Sequence, residues 1–193
     1  ALAQTAGVLN VNSATFFGNL AVGASSSGGA INLGGGSAQA AIKYSTFVAN
    51  TAGLKGGAIN VNAAYPGPKP ILATSLILNN TAPTGANISD MSQVVDAGYN
   101  MVGFNNISGV AGAWAKASTS QTPVEADATK IVEQTLNYNG GKFKSLKLAK
   151  SSIAIDAIPK DLVASSIGTT PTDPFTSIAQ AHGAMLSYGS YKA

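Results

Sequence analysis

The chain has 193 residues, enough for one domain with a sizeable core. Only 10% are charged and every basic residue is Lys, so the surplus of +3 is too thin for a nucleic-acid surface, which clusters basic side chains along phosphates. The absence of Cys excludes a disulfide framework and thiolate metal sites, and no apolar run approaches the roughly 18 residues of a membrane span.

Ala1 to Gly7 carries no charged n-region ahead of an apolar stretch, as expected of a processed protein or an excised fragment. Val8, Leu9 and Val11, then Ala14, Phe16 and Phe17, read as two strands. A Ser25-Ser26-Ser27 turn leads into Gly28-Gly29-Ala30-Ile31-Asn32-Leu33. Apolar runs broken by Gly, Ser and Asn are strand signals, and 3.6-residue periodicity is lacking.

The order then repeats. Ala41 to Phe47 is followed by Asn50-Thr51-Ala52-Gly53, a short turn, and Gly56-Gly57-Ala58-Ile59-Asn60-Val61, which lies 28 residues after the first such phrase. Phe16-Phe17-Gly18-Asn19 has its counterpart in Phe47-Val48-Ala49-Asn50. A third, degenerate unit runs from Ile71-Leu72 through Leu76-Ile77 and Asn80-Thr81-Ala82 to Gly85-Ala86-Asn87-Ile88. Between units, Tyr65-Pro66-Gly67-Pro68-Lys69-Pro70 is too rich in turn-formers for a central strand.

Repeats of 20 to 50 residues made of short strands and glycines are the signature of a solenoid. The fold expected is all-β, a right-handed parallel β-helix. Successive strands then stack about 4.8 Å apart with equivalent side chains above one another. Ile31, Ile59 and Ile88 form one predicted interior stack, and Phe16, Phe47 and Ile77 a second. Asn19, Asn50 and Asn80 form a predicted amide ladder, since each amide both donates and accepts. The paired glycines suit corners that need positive φ.

Gly-Gly-Ala-Ile with Phe-x-x-Asn resembles the repeat of right-handed β-helix surface proteins of bacteria, including the polymorphic outer-membrane adhesins. Asn80-Thr81-Ala82-Pro83-Thr84-Gly85, Gly98-Tyr99-Asn100-Met101-Val102-Gly103, Asn139-Gly140-Gly141 and Ser152-Ile153-Ala154-Ile155-Asp156 resemble, in that order, the closing segment of secreted choice-of-anchor-type β-helix proteins. The match covers roughly residues 8 to 158. It departs at Ser145-Leu146, where the family has a Thr-His pair, and the family's Asp-x-Arg-Gly segment has no counterpart. The resemblance implies an extracellular or cell-surface location.

Residues 1–109 are read as repeat coils, 110–135 as a loop or coil corner, and 136–193 as final coils and a cap of the same domain. Asp127 at the head of Ala126 to Leu136 permits a short helix, but the resemblance favours extended chain there. Phe143, Leu146, Leu148, Ile153 and Ile155 are expected to supply two further strands.

Little here points to catalysis. The lone His182 lies in the tail without a nucleophile motif, and no acid precedes Asp90. Asp90 and Asp96 read as turn residues, with a weak Ca²⁺ site as the alternative. Asn79, Asn87 and Asn106 head N-glycosylation sequons. Neither a catalytic group nor a cofactor or metal is expected.

The function expected is therefore non-enzymatic: an extracellular β-helix subunit that stacks end to end into a homo-oligomeric surface filament or adheres to surfaces, with cell-surface glycans as the other candidate partner. Ala1, Leu2, Val8, Leu9 and Val11 mark the expected assembly end, because a terminal coil exposes unpaired backbone and apolar interior. The rival readings are a carbohydrate-binding or polysaccharide-cleaving β-helix, with Tyr44, Tyr65, Tyr99, Trp114 and Tyr138 available for stacking on sugars, and a passenger fragment of a larger autotransported adhesin.

Overall fold

Short β-branched, aromatic and small residues separated by corner residues give strands of only two to five residues. A computed structural model describes residues 1–35, 39–62, 68–103, 114–123, 127–139, 143–155 and 157–158. Its strands, in chain order, are β1 (Leu2–Gln4), β2 (Val8–Asn12), β3 (Thr15–Phe17), β4 (Leu20–Ala21), β5 (Ile31–Leu33), β6 (Gln39–Lys43), β7 (Thr46–Val48), β8 (Thr51–Ala52), β9 (Ile59–Val61), β10 (Ile71–Ala73), β11 (Leu76–Leu78), β12 (Val95–Asp96) and β13 (Met101–Val102). A 3₁₀ turn (Met91–Gln93) and one helical turn, α1 (Ala128–Ile131), complete the regular structure among the described residues.

The strands form four sheets, ordered β1-β5-β9, β12-β10-β6-β2, β13-β11-β7-β3 and β4-β8. Every strand pairing within them is parallel. Following the chain, each unit contributes one strand to each sheet in the same order: β2, β3, β4, β5 and then β6, β7, β8, β9. The third unit supplies β10 and β11 and touches the other two sheets through the single bridges Thr51↔Thr81 and Ile59↔Ile88.

Three of the sheets contribute to one apolar core. It includes Ile31, Leu33, Ile59 and Val61 from the first sheet, Val11, Ile42 and Leu72 from the second, and Phe47, Ile77 and Val102 from the third. Packing is close, with a gap of only about 10 Å³ bordered by Ile42, Ile59, Leu72 and Ile88.

Corners repeat as strictly as strands. Ser13, Tyr44, Thr74 and Tyr99 all have φ between 50 and 57° at the corner ahead of the β3-containing sheet, and Gly18, Ala49 and Asn79 take positive φ behind it. A left-handed conformation costs a non-glycine residue about 1 kcal/mol or more. Backbone bonds between units hold it, as in Tyr44 N–H to Ala73 O and Ala49 N–H to Asn79 O.

Glycine is required at the corner ahead of β5 and β9, and again at Gly53, where a Cβ would lie 2.0 Å from the Gly23 carbonyl oxygen. A Cβ on Gly28 or Gly56, both at positive φ, would lie 2.4 Å from the carbonyl oxygen of Ile31 or Ile59. The second glycine has a different reason: a Cβ on Gly29 would meet the Gly57 carbonyl of the next unit at 2.1 Å.

The C-terminal residues do not continue the stack in the expected way. No strand occurs among the described residues beyond Val102; instead isolated antiparallel bridges join Val132 to Leu148 and Asn137 to Ser145. Ala128, Ile131, Val132, Leu146, Leu148, Ala154 and Ile158 cluster on Val48, Leu76, Leu78 and Met101, which lie on the face of their sheet opposite Phe47, Ile77 and Val102. The described residues between 128 and 158 thus cover a flank. Leu146 and Leu148 find burial on that face, while Phe143 and Ile153 stay exposed. The expectation of extended chain at 126–136 is corrected by α1, because Ala128 and Ile131, three residues apart, both turn into this cluster.

Candidate functional site

The predicted stacks can be followed residue by residue. Ile31 pairs in register with Ile59, which bridges Ile88, and all three are buried. Phe16 pairs with Phe47 and Phe47 with Ile77. The two phenylalanine rings are stacked at 4.7 Å between centroids, inclined by 4°.

Asn19, Asn50 and Asn80 are joined through their amides. Asn19 donates from its backbone N–H (3.0 Å) and its Nδ2 (2.8 Å) to Asn50 Oδ1, and Asn50 donates in the same two ways to Asn80 Oδ1. Asn80 Nδ2 in turn reaches Asn87 Oδ1.

A second ladder is not among the predicted stacks. Ser45 Oγ accepts from Ala14 N–H, Ser75 Oγ from Ser45 N–H, Asn100 Oδ1 from Ser75 N–H, and Ser120 Oγ from Asn100 N–H. Its signal is present in the chain: Tyr44-Ser45, Thr74-Ser75 and Tyr99-Asn100 each place a small polar residue just before an apolar strand. Asp96 closes the ladder. Its Oδ1 accepts from Gly98 N–H, Asn100 Nδ2 and Ser120 Oγ, and its Oδ2 from Ala117 N–H.

Asp90 caps the 3₁₀ turn by accepting from Ser92. Asp90 thus serves its own turn and Asp96 ties Asn100, Ala117 and Ser120 together, and no group of three metal-ligating side chains occurs among the described residues.

The sequons separate. Asn79 is exposed and donates to Gln134 Oε1, whereas Asn80 is buried. Asn87 is corrected as a modification candidate: it is 5% exposed and its Nδ2 donates to Gly103 O at 2.7 Å, so the folded chain cannot present it. Asn106 lies outside the described residues, as do His182, Asp156 and Tyr65.

Of the other aromatic candidates, Tyr44 is buried in the flank cluster and Tyr99 packs against it. Trp114 packs against the main core with its Nε1 buried and unpartnered. Tyr138 is exposed, with Lys144 Nζ 5.6 Å from its ring centroid. They form no common stacking platform. One ion pair occurs among the described residues, Lys130 with Asp127 at 2.7 Å; the hydrogen bond to Asp127 raises the Lys130 pKa, but the lysine is solvent-exposed.

Two surface features remain. The first is an edge: β1, β2, β3 and β4 each end a sheet on the same side of the stack and have a neighbour on one side only. Leu2, Val8 and Leu20 on these strands are exposed, and Val22 beside them is 78% exposed. Leu9 is half-buried and Val11 buried, so the residues marked as the assembly end divide between rim and core. Residues 2–4, ahead of the first predicted strand, already form β1 in register with β5.

The second feature is a depression of about 570 Å³ on the first sheet. Its wall carries Ala3, Asn32 and Asn60, which are register partners on successive strands, together with Asn62, Ser27 and Lys55. No helix among the described residues is long and apolar enough to cross a membrane. The chain matches no family model, no curated protein and no solved structure.

Proposed function

We propose that this chain is a right-handed parallel β-helix acting as a non-enzymatic, extracellular structural protein whose subunits add end to end at the free edge of β1 to β4. The handedness and the surface location follow from the resemblance of its repeats to bacterial β-helix surface proteins. The observation that carries the reading is the equivalence of that edge to the joints between units inside the chain. Asn50 Oδ1 accepts from both nitrogens of Asn19, and on the unit at the edge the equivalent acceptor is Asn19 Oδ1. A unit of a second copy presenting the same asparagine meets a surface built like its own neighbour. Leu2, Val8 and Leu20 supply apolar area to cover.

Sedimentation velocity over a wide concentration range, with negative-stain microscopy, tests this. Concentration-dependent growth into rods is expected, and a double variant Val8→Lys/Leu20→Lys should stay folded and monomeric, since lysines on an edge oppose strand addition. A wild-type chain that remains a monomer throughout removes the proposal.

A further inference from the structure

Taking the end-to-end joint proposed above as given, we infer that Ala14 and Ala3 make it weaker than the joints inside the chain, so that copies add reversibly. Three ladders of polar side chains run along the stack among the described residues, and only one reaches the edge of β1 to β4 intact. Asn19 stands there as Asn50 and Asn80 stand in the next two units, with its Oδ1 in the acceptor's place. The other two ladders end on alanine.

In the serine ladder, a backbone N–H of each unit is taken by a side-chain oxygen of the next: that of Ala14 by Ser45, Ser45 by Ser75, Ser75 by Asn100 and Asn100 by Ser120. Each of these units behind the edge supplies an acceptor, whereas the edge unit presents the methyl group of Ala14. On the first sheet, Asn60 Nδ2 donates to Asn32 Oδ1 at 2.7 Å, and the register partner of Asn32 on β1 is Ala3. Ala3 has no side-chain oxygen to extend the pair.

A second copy built on the internal pattern brings an N–H that Ala14 cannot accept. Ser45, Ser75, Asn100 and Ser120 are all buried, so the corner is closed to water once a unit covers it. A buried donor left without a partner opposes association by about tenfold. Inside the chain such a gap would act on folding; at the edge, where β1 and β3 have a neighbour on one side only, it acts on the joint. Blunting an edge in this way limits strand addition. The intact asparagine ladder fixes the register of an added copy, and the two gaps limit how long it stays.

Sedimentation velocity of the full chain and three variants over one concentration range decides. Ala14→Ser restores the missing acceptor and should tighten end-to-end association about tenfold. Ala3→Asn, at an exposed position, extends the first-sheet ladder and should tighten it about threefold. Ala21→Ser adds a hydroxyl on β4 of the same edge, opposite Ala52 where no ladder runs, and should not tighten it. If Ala14→Ser associates no more tightly than wild type, or Ala21→Ser tightens equally, the gap is overturned while the end-to-end reading stands. A monomeric wild type beside an assembling Ala14→Ser upholds the gap and overturns that reading for the natural chain. Monomers throughout, in wild type and in every variant, overturn both. Circular dichroism verifies folding, and if Ala14→Ser fails to fold, Ala3→Asn against Ala21→Ser decides in its place.

Discussion

Asn50 sits at the centre of the amide ladder, fully buried, and each of its side-chain atoms is committed. Its Oδ1 satisfies Asn19, and its Nδ2 satisfies Asn80 Oδ1 and the Phe16 carbonyl. Asn50→Ala removes all of these at once and strands buried partners that each cost about 1–3 kcal/mol. We expect a loss of about 3 kcal/mol or more in urea unfolding. Asn19→Ala, at the half-buried outer end, should cost about 1 kcal/mol. The glycines discriminate similarly. Gly57→Ala would press a methyl to 2.3 Å from the Ala86 carbonyl and should abolish folding or shift several residues. Gly18→Ala has positive φ but open space around it, and Ala49 already occupies the equivalent corner, so a cost of about 1 kcal/mol is expected from the same unfolding measurement.

At the scale of elements, the flank segment is the part with most to lose. Leu148 is buried against the outer face of the sheet that carries Val48 and Leu78, and Leu148→Ala should cost about 2–5 kcal/mol. Dye binding by the exposed face, alongside urea unfolding, would register the loss. The repeat units were legible because their signal is repetition: Gly28-Gly29-Ala30-Ile31 and Gly56-Gly57-Ala58-Ile59 fix a period, and the period fixes which side chains meet. The serine ladder was harder, since Ser45 and Ser75 look like ordinary turn residues until the register places each above the next. The flank was not legible. Leu146 and Leu148 alternate with polar residues as they would in one more stacked strand, and nothing local reports that their burial comes from a face thirty or more residues away. The depression is of the same kind: Asn32 lies on β5 and Lys55 on the corner ahead of β9, and they line one surface only through the stack.

For the whole molecule, stability should vary along the stack. A strand with neighbours on both sides opens only when two ladders break, whereas β2, β3 and β4 have one neighbour each. Hydrogen exchange should therefore be slowest at Ile42, Phe47 and Ile77 and faster by orders of magnitude at Leu9 and Phe16; uniform protection across these positions would show that the stack opens as a single unit. Stacks of this type normally allow units to be gained or lost, because each touches only the next. The segment 128–158 changes that rule here. It lies against Tyr44 and Val48 of one unit, Leu76 and Leu78 of the next, and Met101 of a third. It works as a splint of fixed length, so this region of the chain can vary its loops and its surface but not its number of repeats.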